Sequence, residues 1–251
     1  GQGTTADPVD DFVAMESSMS GKLCNLVDAA LAALKKVLFG SGLLSPHIQT
    51  MAIALLNGVV PAEWTKTWGG GPEKPQAWLR ELVRKRLALA KWGAASAKGS
   101  LLENGVVLGD LFNPATFINA LRQQTARKLG CAIDRMKLIC GWENDTSRIN
   151  KQCPLACTLS GLLLQGADYH NGVLNESSPE ASELCQAPPV TIGFVPRDDD
   201  DIYSSERSIA IPTYFSNSRD EFLVELRMPC EAGDQDRWIL AGVALFLTDD
   251  D

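Results

Sequence analysis

The feature that most constrains the fold of this chain is a change in the spacing of its apolar residues near residue 136. Before that point, apolar residues recur every three or four positions, as they do along one face of an α-helix. Beyond it, they alternate with polar residues or form short runs between Gly, Pro, Asp and Ser, which is typical of β-strands. The sequence therefore predicts an α+β fold, with an α-helical subdomain over residues 1–135 and a β-barrel subdomain over residues 136–251.

The longest periodic segment covers residues 9–39 and predicts one first helix of about 30 residues, about 45 Å long. Its predicted apolar face carries Phe12, Met15, Met19, Leu23, Leu26, Ala30, Leu34 and Val37. A helix of this length exceeds what a small domain needs. Two interpretations stay open: the helix is buried in its own domain, or part of its face lies on another body.

Three more helices are predicted from capping signals, over residues 45–58, 75–92 and 113–130. The helix over 75–92 is expected to turn Trp78, Leu79, Leu82, Val83 and Leu87 inward and a basic face outward. That basic face consists of Arg80, Arg84, Lys85, Arg86 and Lys91. The stretch between the second and third helices, residues 61–72, is expected to be a loop rich in aromatic residues.

Six strands are predicted in the second half, with no helix between them, which favours a small antiparallel six-stranded β-barrel. The predicted strands cover residues 136–142, 157–164, 190–195, 209–214, 222–228 and 238–247.

The charge is distributed unevenly along the chain. Residues 1–150 carry 17 Lys and Arg against 13 Asp and Glu, whereas residues 151–251 carry 6 against 18. Because phosphate contacts need a basic footprint, the acidic half argues against nucleic acid as a partner. No apolar run approaches the 18 to 20 residues of a membrane span, so no membrane partner is expected. The seven cysteines are odd in number and irregularly spaced, which favours free thiols in a reducing compartment such as the cytoplasm.

The sequence contains only weak signals of catalytic, metal-binding or phosphate-binding sites. Cys153 and Cys157, followed by His170 and Cys185, could form a zinc or cysteine site, but no second closely spaced pair follows. The acidic run at residues 198–201 lacks the alternating ligands of a calcium loop and is expected to be solvated. The glycine-rich stretches lack the order of residues that a phosphate-binding loop needs. No catalytic centre, metal or cofactor is therefore predicted in this chain.

Six phrases, in order, carry a resemblance to a known family. They are Gly58-Val59-Val60-Pro61-Ala62-Glu63-Trp64, Trp78-Leu79-Arg80-Glu81-Leu82, Leu111-Phe112-Asn113-Pro114-Ala115-Thr116-Phe117, Ser160-Gly161-Leu162-Leu163-Leu164-Gln165-Gly166-Ala167, Ile211-Pro212-Thr213-Tyr214, and Trp238 through Gly242-Val243-Ala244-Leu245. Together they resemble the C-terminal domain of dynein heavy chains over nearly the whole sequence. The stretches 200–206 and 229–238 are most similar to the dynein of intraflagellar transport, cytoplasmic dynein 2. Gln165, Asp168, Tyr169 and Thr213 depart from the commoner pattern of the family.

The resemblance implies a helical bundle followed by a small β-barrel, lying on the ring of ATPase modules of its own heavy chain. It implies no catalysis here but a structural and regulatory role in a minus-end-directed microtubule motor. ATP and ADP would bind only in the ring of the parent polypeptide. The parent motor would bind microtubules, dynein intermediate and light chains and intraflagellar transport complexes. It would act in the cytoplasm and cytoskeleton, and in the cilium or flagellum.

Two sets of residues are proposed to carry this role. Phe12, Met15, Met19, Arg80 and Arg84 are candidates for the surface that faces the ring. Trp64, Trp78, Phe117 and Trp238 are candidate core anchors, because large aromatic side chains dominate the energetics of burial. Two other functions stay open at this point: a zinc- or cysteine-dependent enzyme, and a free-standing β-barrel that binds a basic partner through its acidic half.

Overall fold

A computed structural model describes residues 7–176, 184–197, 208–230 and 235–248. The acidic run at 198–201 lies outside the described residues. The chain divides into two compact units. The helical unit comprises Val13–Ala97 and Asp110–Phe112, and the sheet unit comprises Gly1–Phe12, Lys98–Gly109 and Asn113–Asp251. The subdomain limits inferred from the sequence, 1–135 and 136–251, stay a prediction, and these compact units follow a different division.

The helical unit contains helices predicted from the sequence and one that was not. The first helix, α1, spans Pro8–Leu38, and its first five residues belong to the sheet unit. Helix α2 spans Pro46–Leu56, and the Ser45 hydroxyl caps it by accepting the Ile48 N–H at 3.3 Å. Helix α3, Ala62–Thr67, occupies part of the loop expected over residues 61–72. Its six residues make too few turns to show a helical period, which is why the sequence did not reveal it.

Helix α4 spans Pro75–Ser96 and corrects the expected assignment of its faces. Trp78, Leu82, Lys85 and Leu89 are buried, whereas Val83 and Leu87 are exposed. The buried positions follow one another at spacings of four, three and four residues, so they form one stripe on a helix. Lys85 therefore lies on the inner face of α4 and not on its basic outer face.

The sheet unit begins with helical and edge elements that precede its long strands. Strand β1 spans Val106–Val107, and α5 spans Pro114–Leu129. Gly130 ends α5 in the left-handed conformation, φ 64°, as the sequence predicted. The remaining helices are α6, Thr146–Gln152, and α7, Gln235–Leu240. The other strands are β2 (Met136–Trp142), β3 (Ala156–Ser160), β4 (Leu163–Gln165), β5 (Ala167–His170), β6 (Val173–Glu176), β7 (Cys185–Gln186), β8 (Val190–Pro196), β9 (Ser208–Ser216), β10 (Phe222–Pro229) and β11 (Ala244–Thr248).

These strands form a four-stranded sheet, β1-β3-β8-β2, a five-stranded sheet, β10-β9-β11-β4-β7, and the β5-β6 hairpin. The α+β class with a long first helix is confirmed. The sheets are mixed, since β1 runs parallel to β3 and β11 runs parallel to β9. Successive strands β9, β10 and β11 alternate in direction, but β11 lies beside β9 and not beside β10, which makes this pair parallel. The predicted barrel of antiparallel neighbours does not include this strand order.

Within the described residues, backbone pairing does not close a barrel. Strands β2 and β10 are each at the edge of a sheet and meet through side chains. The Trp142 indole N–H donates to the Arg227 carbonyl at 2.6 Å, and the Arg227 N–H donates to the Cys140 thiol sulfur at 3.3 Å. Side chains of β2 thus satisfy backbone groups that a closed barrel would pair with another strand.

Two predicted strands are each divided in the structure. The segment 157–164 is interrupted at Gly161, φ 76°, between β3 and β4. The segment 238–247 begins on α7, turns at Gly242, φ 69°, and continues as β11. A positive φ is readily adopted by glycine and breaks the pleat of a strand. None of the described helices is both long and apolar enough to span a bilayer.

Candidate functional site

Four aromatic rings form the centre of the helical unit. Trp64 lies 5.6 Å from Trp78, Trp68 lies 5.1 Å from Trp78, and Phe112 meets Trp68 edge-on at 5.2 Å, all measured between ring centroids. We call these four residues the aromatic cluster. Gly71 fits against it only because it has no side chain, since a Cβ there would lie 2.9 Å from Trp68. The cluster joins α3, α4 and the segment Asp110–Phe112 through ring contacts.

A charged side chain is buried beside the aromatic cluster. Lys85 is 1% exposed; its ammonium donates to the Leu111 carbonyl at 2.8 Å and lies 5.4 Å from the Trp68 ring centroid. Burial, and then the nearby Arg84 guanidinium, lower the pKa of Lys85 from 10.5 to about 8. The ammonium is thus still mostly protonated at neutral pH, where it can interact with the ring faces as a cation.

The carboxylate of Glu16 on α1 holds the same segment from another side. It is fully buried and accepts the Phe112 N–H at 2.7 Å. Lys85 and Glu16 therefore bind the carbonyl and the amide of adjacent residues, Leu111 and Phe112. Both charges act on the backbone of Asp110–Phe112, and this arrangement fixes that segment against α1 and α4.

The four predicted core anchors are all buried. Trp64 and Trp78 belong to the aromatic cluster, and Phe117 on α5 lies 5.7 Å from Phe12 between ring centroids. Trp238 lies on α7, not on the strand that the sequence predicted.

The residues predicted to face the ring differ in exposure. Phe12 is buried in the sheet unit, Met15 is 45% exposed and Met19 is half-buried. Arg80 and Arg84 are exposed on α4. Arg84 forms ion pairs with Glu81 on its own helix and with Asp110. The structure thus leaves Met15, Arg80 and Arg84 available at the surface, and their contact with a ring stays a prediction.

The residues of the alternative zinc or cysteine site do not form a reactive group in the structure. Burial raises the pKa of the Cys153 thiol to about 11 and of the Cys157 thiol to about 12. The Cys185 pKa is also raised, mainly by burial, and His170 is exposed at the end of β5. Since the thiolate is the nucleophile, such pKa values disfavour a nucleophilic role for these cysteines. Over the described ranges, no three His, Cys, Asp or Glu side chains are grouped so that they could hold a metal ion.

A surface that the sequence did not reveal lies between the end of α1 and the residues after α2. We call residues 38–59 the hairpin surface. Only Met51 within it is buried, and Leu43 and Leu56 are 92% and 85% exposed. Its large exposed apolar side chains are Leu38, Phe39, Leu43, Leu44, Ile53, Leu56 and Val59. Exposed apolar groups at this density are typical of a surface that another body covers.

The charged side chains in the sequence of the hairpin surface and just before it are basic, and one carboxylate, that of Glu63, lies beside this surface. No Asp or Glu occurs from residue 29 to residue 62, whereas Lys35 and Lys36 are exposed on the last turn of α1. His47 lies on α2, with its Nε2 atom 3.1 Å from the Glu63 carboxylate. Two features of the sequence indicate this surface. One is the long stretch without Asp or Glu, and the other is the pair Leu43 and Leu44, which belongs to no apolar helix face.

Comparisons with known proteins agree with the resemblance of the six phrases. The sequence model of one family, described as the C-terminal domain of the dynein heavy chain, matches residues 2–247. Human cytoplasmic dynein 2 heavy chain 1 is 37% identical over 240 residues, and its Chlamydomonas reinhardtii counterpart is 33% identical over 250. Each alignment covers 96% of this chain, but only 5% and 6% of the relatives. The cytoplasmic dynein heavy chain of Dictyostelium discoideum is 23% identical over 242 residues, which are 95% of this chain and 5% of that relative.

Proposed function

Because this chain belongs to the family of C-terminal domains of dynein heavy chains, we propose that it is the non-catalytic C-terminal part of a dynein motor. In this role it lies on the ATPase ring of its own heavy chain and modulates a minus-end-directed microtubule motor. The observation that carries the proposal is the family match over residues 2–247. The chain spans only about a twentieth of the length of its relatives, so ATP hydrolysis and microtubule binding are assigned to other parts of the heavy chain.

The geometry supports a role in packing. The pKa values of Lys85 and of the Cys140, Cys153 and Cys157 thiols are strongly shifted because these groups are buried, and burial likewise raises the pKa of the partly buried Tyr169 to about 12. The accessible features of the helical unit are instead an apolar hairpin surface and a basic face of α4. Surfaces of these two kinds bind other protein surfaces.

We also propose that the parent motor drives retrograde intraflagellar transport and cilium assembly. The support is the higher identity to cytoplasmic dynein 2 heavy chains, 37% and 33%, than to the Dictyostelium cytoplasmic heavy chain, 23%. In this role the motor would bind microtubules, dynein intermediate and light chains and intraflagellar transport complexes.

Single-molecule motility of the parent heavy chain tests the proposed regulation. We expect deletion of residues 1–251 to change the run length, the microtubule-stimulated ATPase rate, or both. A heavy chain in which an unrelated folded domain of similar size replaces these residues controls for the loss of mass. Unchanged run length and ATPase rate after deletion would contradict the regulatory role.

Ciliated cells that lack their own dynein 2 heavy chain test the proposed pathway. A heavy chain that ends in this sequence should restore retrograde transport, measured as the return of fluorescent transport particles from the ciliary tip. A heavy chain that ends in the Dictyostelium domain is the matched control and should restore transport less well. Equal restoration by both would contradict the assignment to intraflagellar transport.

A further inference from the structure

The hairpin surface concentrates much of the exposed apolar area of the described residues. Fifteen large apolar side chains are exposed in the described ranges, and seven of them lie within residues 38–59. The buried stripe of α1 ends at Ala30, so the last eight residues of that helix have no buried side chain. Apart from Met51, the apolar side chains of this end of α1 and of α2 are therefore at most partly buried in the helical unit.

The hairpin keeps its shape through backbone bonds. After α1, Gly40 adopts a φ of 71°, and the N–H groups of Gly40 and Ser41 donate to the Val37 and Lys36 carbonyls at 3.0 and 2.9 Å. The Ser45 hydroxyl then caps α2. Such a cap contributes about 1 kcal/mol without burial of apolar area. The apolar side chains are thus presented on a preformed scaffold, which lowers the entropic cost of binding.

The charges define the chemistry of the partner. Lys35 and Lys36 flank the hairpin surface, no Asp or Glu lies within residues 38–59, and the carboxylate of the adjacent Glu63 lies 3.1 Å from His47 Nε2. A complementary partner is therefore an apolar protein surface bordered by Asp or Glu. A second copy of this chain fits poorly, because a twofold contact brings the same patch from both partners and so adds Lys35 and Lys36 twice, with no carboxylate from residues 29–62 to pair with them.

We propose that the hairpin surface is the main docking surface of this chain on the preceding part of its own heavy chain, at an apolar site bordered by carboxylates on the ATPase ring. This inference rests on the proposed function. The relatives are about twenty times longer than this chain, so a partner on the same polypeptide is present at high effective concentration. A surface of about twenty residues is then sufficient, because the association is intramolecular.

The first test places a photo-crosslinking residue in the complete heavy chain. Leu43→benzoylphenylalanine should crosslink to ring segments of the same polypeptide after irradiation, as identified by mass spectrometry of peptides. The matched control is Leu240→benzoylphenylalanine, because Leu240 is 87% exposed but lies on α7 in the sheet unit. It should not yield the same crosslinked peptides. Crosslinks from position 43 to a different polypeptide, or no crosslink to the heavy chain, would overturn the proposal.

The second test uses charge at the same position in the complete heavy chain. Leu43→Asp should raise amide hydrogen exchange of α2 about tenfold or more, because a carboxylate would meet the carboxylates of the partner. Leu43→Lys should raise it less, and Leu240→Asp should leave it unchanged. Equal effects of Asp and Lys at position 43, or none, would contradict the charge assignment.

The two levels of the proposal can fail separately. If deletion of residues 1–251 alters motility but position 43 neither crosslinks to the ring nor responds to charge, the docking surface is wrong and the regulatory role stands. If position 43 crosslinks to the ring but the deletion changes neither run length nor ATPase rate, the docking surface stands and the regulatory role is wrong.

Discussion

The interiors of the helical unit and the sheet unit are built from different side chains. The helical unit is centred on four aromatic rings with a buried ammonium and a buried carboxylate beside them, those of Lys85 and Glu16. The sheet unit is filled mainly by aliphatic side chains and by thiols such as Cys153 and Cys157, with glycine where strands and side chains meet closely. The sheet unit also buries large rings, such as those of Phe117 and Phe246, but its buried polar side chains within the described residues are uncharged, whereas the helical unit combines a cluster of rings with two buried charges. Single substitutions should therefore act differently on the two.

The largest effect is expected from loss of one ring of the aromatic cluster. Trp78→Ala should lower the free energy of unfolding of the helical unit by about 3 to 5 kcal/mol, because the ring is buried between Trp64 and Trp68. Amide hydrogen exchange of α4, followed by mass spectrometry, measures the change.

A small side-chain truncation in the sheet unit provides the comparison with Trp78→Ala. Ile192→Val removes one buried methylene group from β8 and should cost only about 0.5 to 1.5 kcal/mol, measured on the amides of β8. A loss in Trp78→Ala no larger than that in Ile192→Val would refute the idea that the helical unit depends on a few large side chains.

The second effect is a pH dependence specific to the helical unit. Unfolded lysine keeps its proton up to about pH 10.5, whereas folded Lys85 loses it near pH 8. The unfolded state therefore binds more protons between these values, and the free energy of unfolding should rise with pH by up to about 3 kcal/mol. Lys85→Met should abolish this rise, and Lys91→Met, at an exposed position of α4, should retain it.

The sheet unit should respond to alkaline pH in the opposite direction. The pKa of Cys157 is raised from 9.0 to about 12, so the folded state keeps a proton that the unfolded state loses. Its contribution to the free energy of unfolding is complete below pH 9 and is lost between pH 9 and 12. Exchange rates of α4 and β3 amides, measured in one pH series, should therefore diverge. If the exchange rates of α4 and β3 changed in the same direction with pH, the proposed opposite pH dependence of the two units would be wrong.

The buried charges show what the sequence could have predicted and what it could not. Lys85 lies seven residues after Trp78 and four before Leu89, so the helical period alone assigns it to the inner face of α4. Glu16 lies in the same way on the buried stripe of α1. Helical geometry alone predicts both buried positions, although charged residues in general prefer water. Lys85 binds the Leu111 carbonyl, and Glu16 binds the N–H of Phe112. Because these partners lie far along the chain, local sequence patterns cannot predict them.

The strand assignments show a different limit. Long strands such as β2 and β8 were found because an apolar pattern over seven residues is a local signal. The β5-β6 hairpin was missed although Asn171 and Gly172, which lie at its turn, are a hairpin signal, because its strands have only four residues each. The parallel pairing of β11 with β9 depends on the strand order of the sheet, in which β11 lies beside β9 and not beside β10. The hairpin surface was missed because exposure of apolar residues depends on what the rest of the fold leaves uncovered.

The third effect tests how tightly the sheet unit is packed. A Cβ at position 193 would lie within contact of the Cys153 sulfur, and 2.8 Å from the Cys153 Cβ. Gly193→Ala should therefore lower the free energy of unfolding by about 1 to 3 kcal/mol, measured by exchange of β8 amides. The double variant with Cys153→Ala should lose less than the two single losses combined, because the sulfur is gone. Additive losses would show that the two side chains do not compete for the same space.

The smallest effect is expected from a charge at the surface of the helical unit. Arg84 is adjacent to Lys85 in sequence, but its side chain is 42% exposed and pairs with Glu81 and Asp110 in contact with solvent. Arg84→Ala should change the free energy of unfolding by less than about 1 kcal/mol, in contrast to the buried groups around it. If Arg84 faces the ring, as the sequence predicts, the same variant should alter the run length of the complete motor. A change in stability without a change in run length would assign Arg84 to the fold alone.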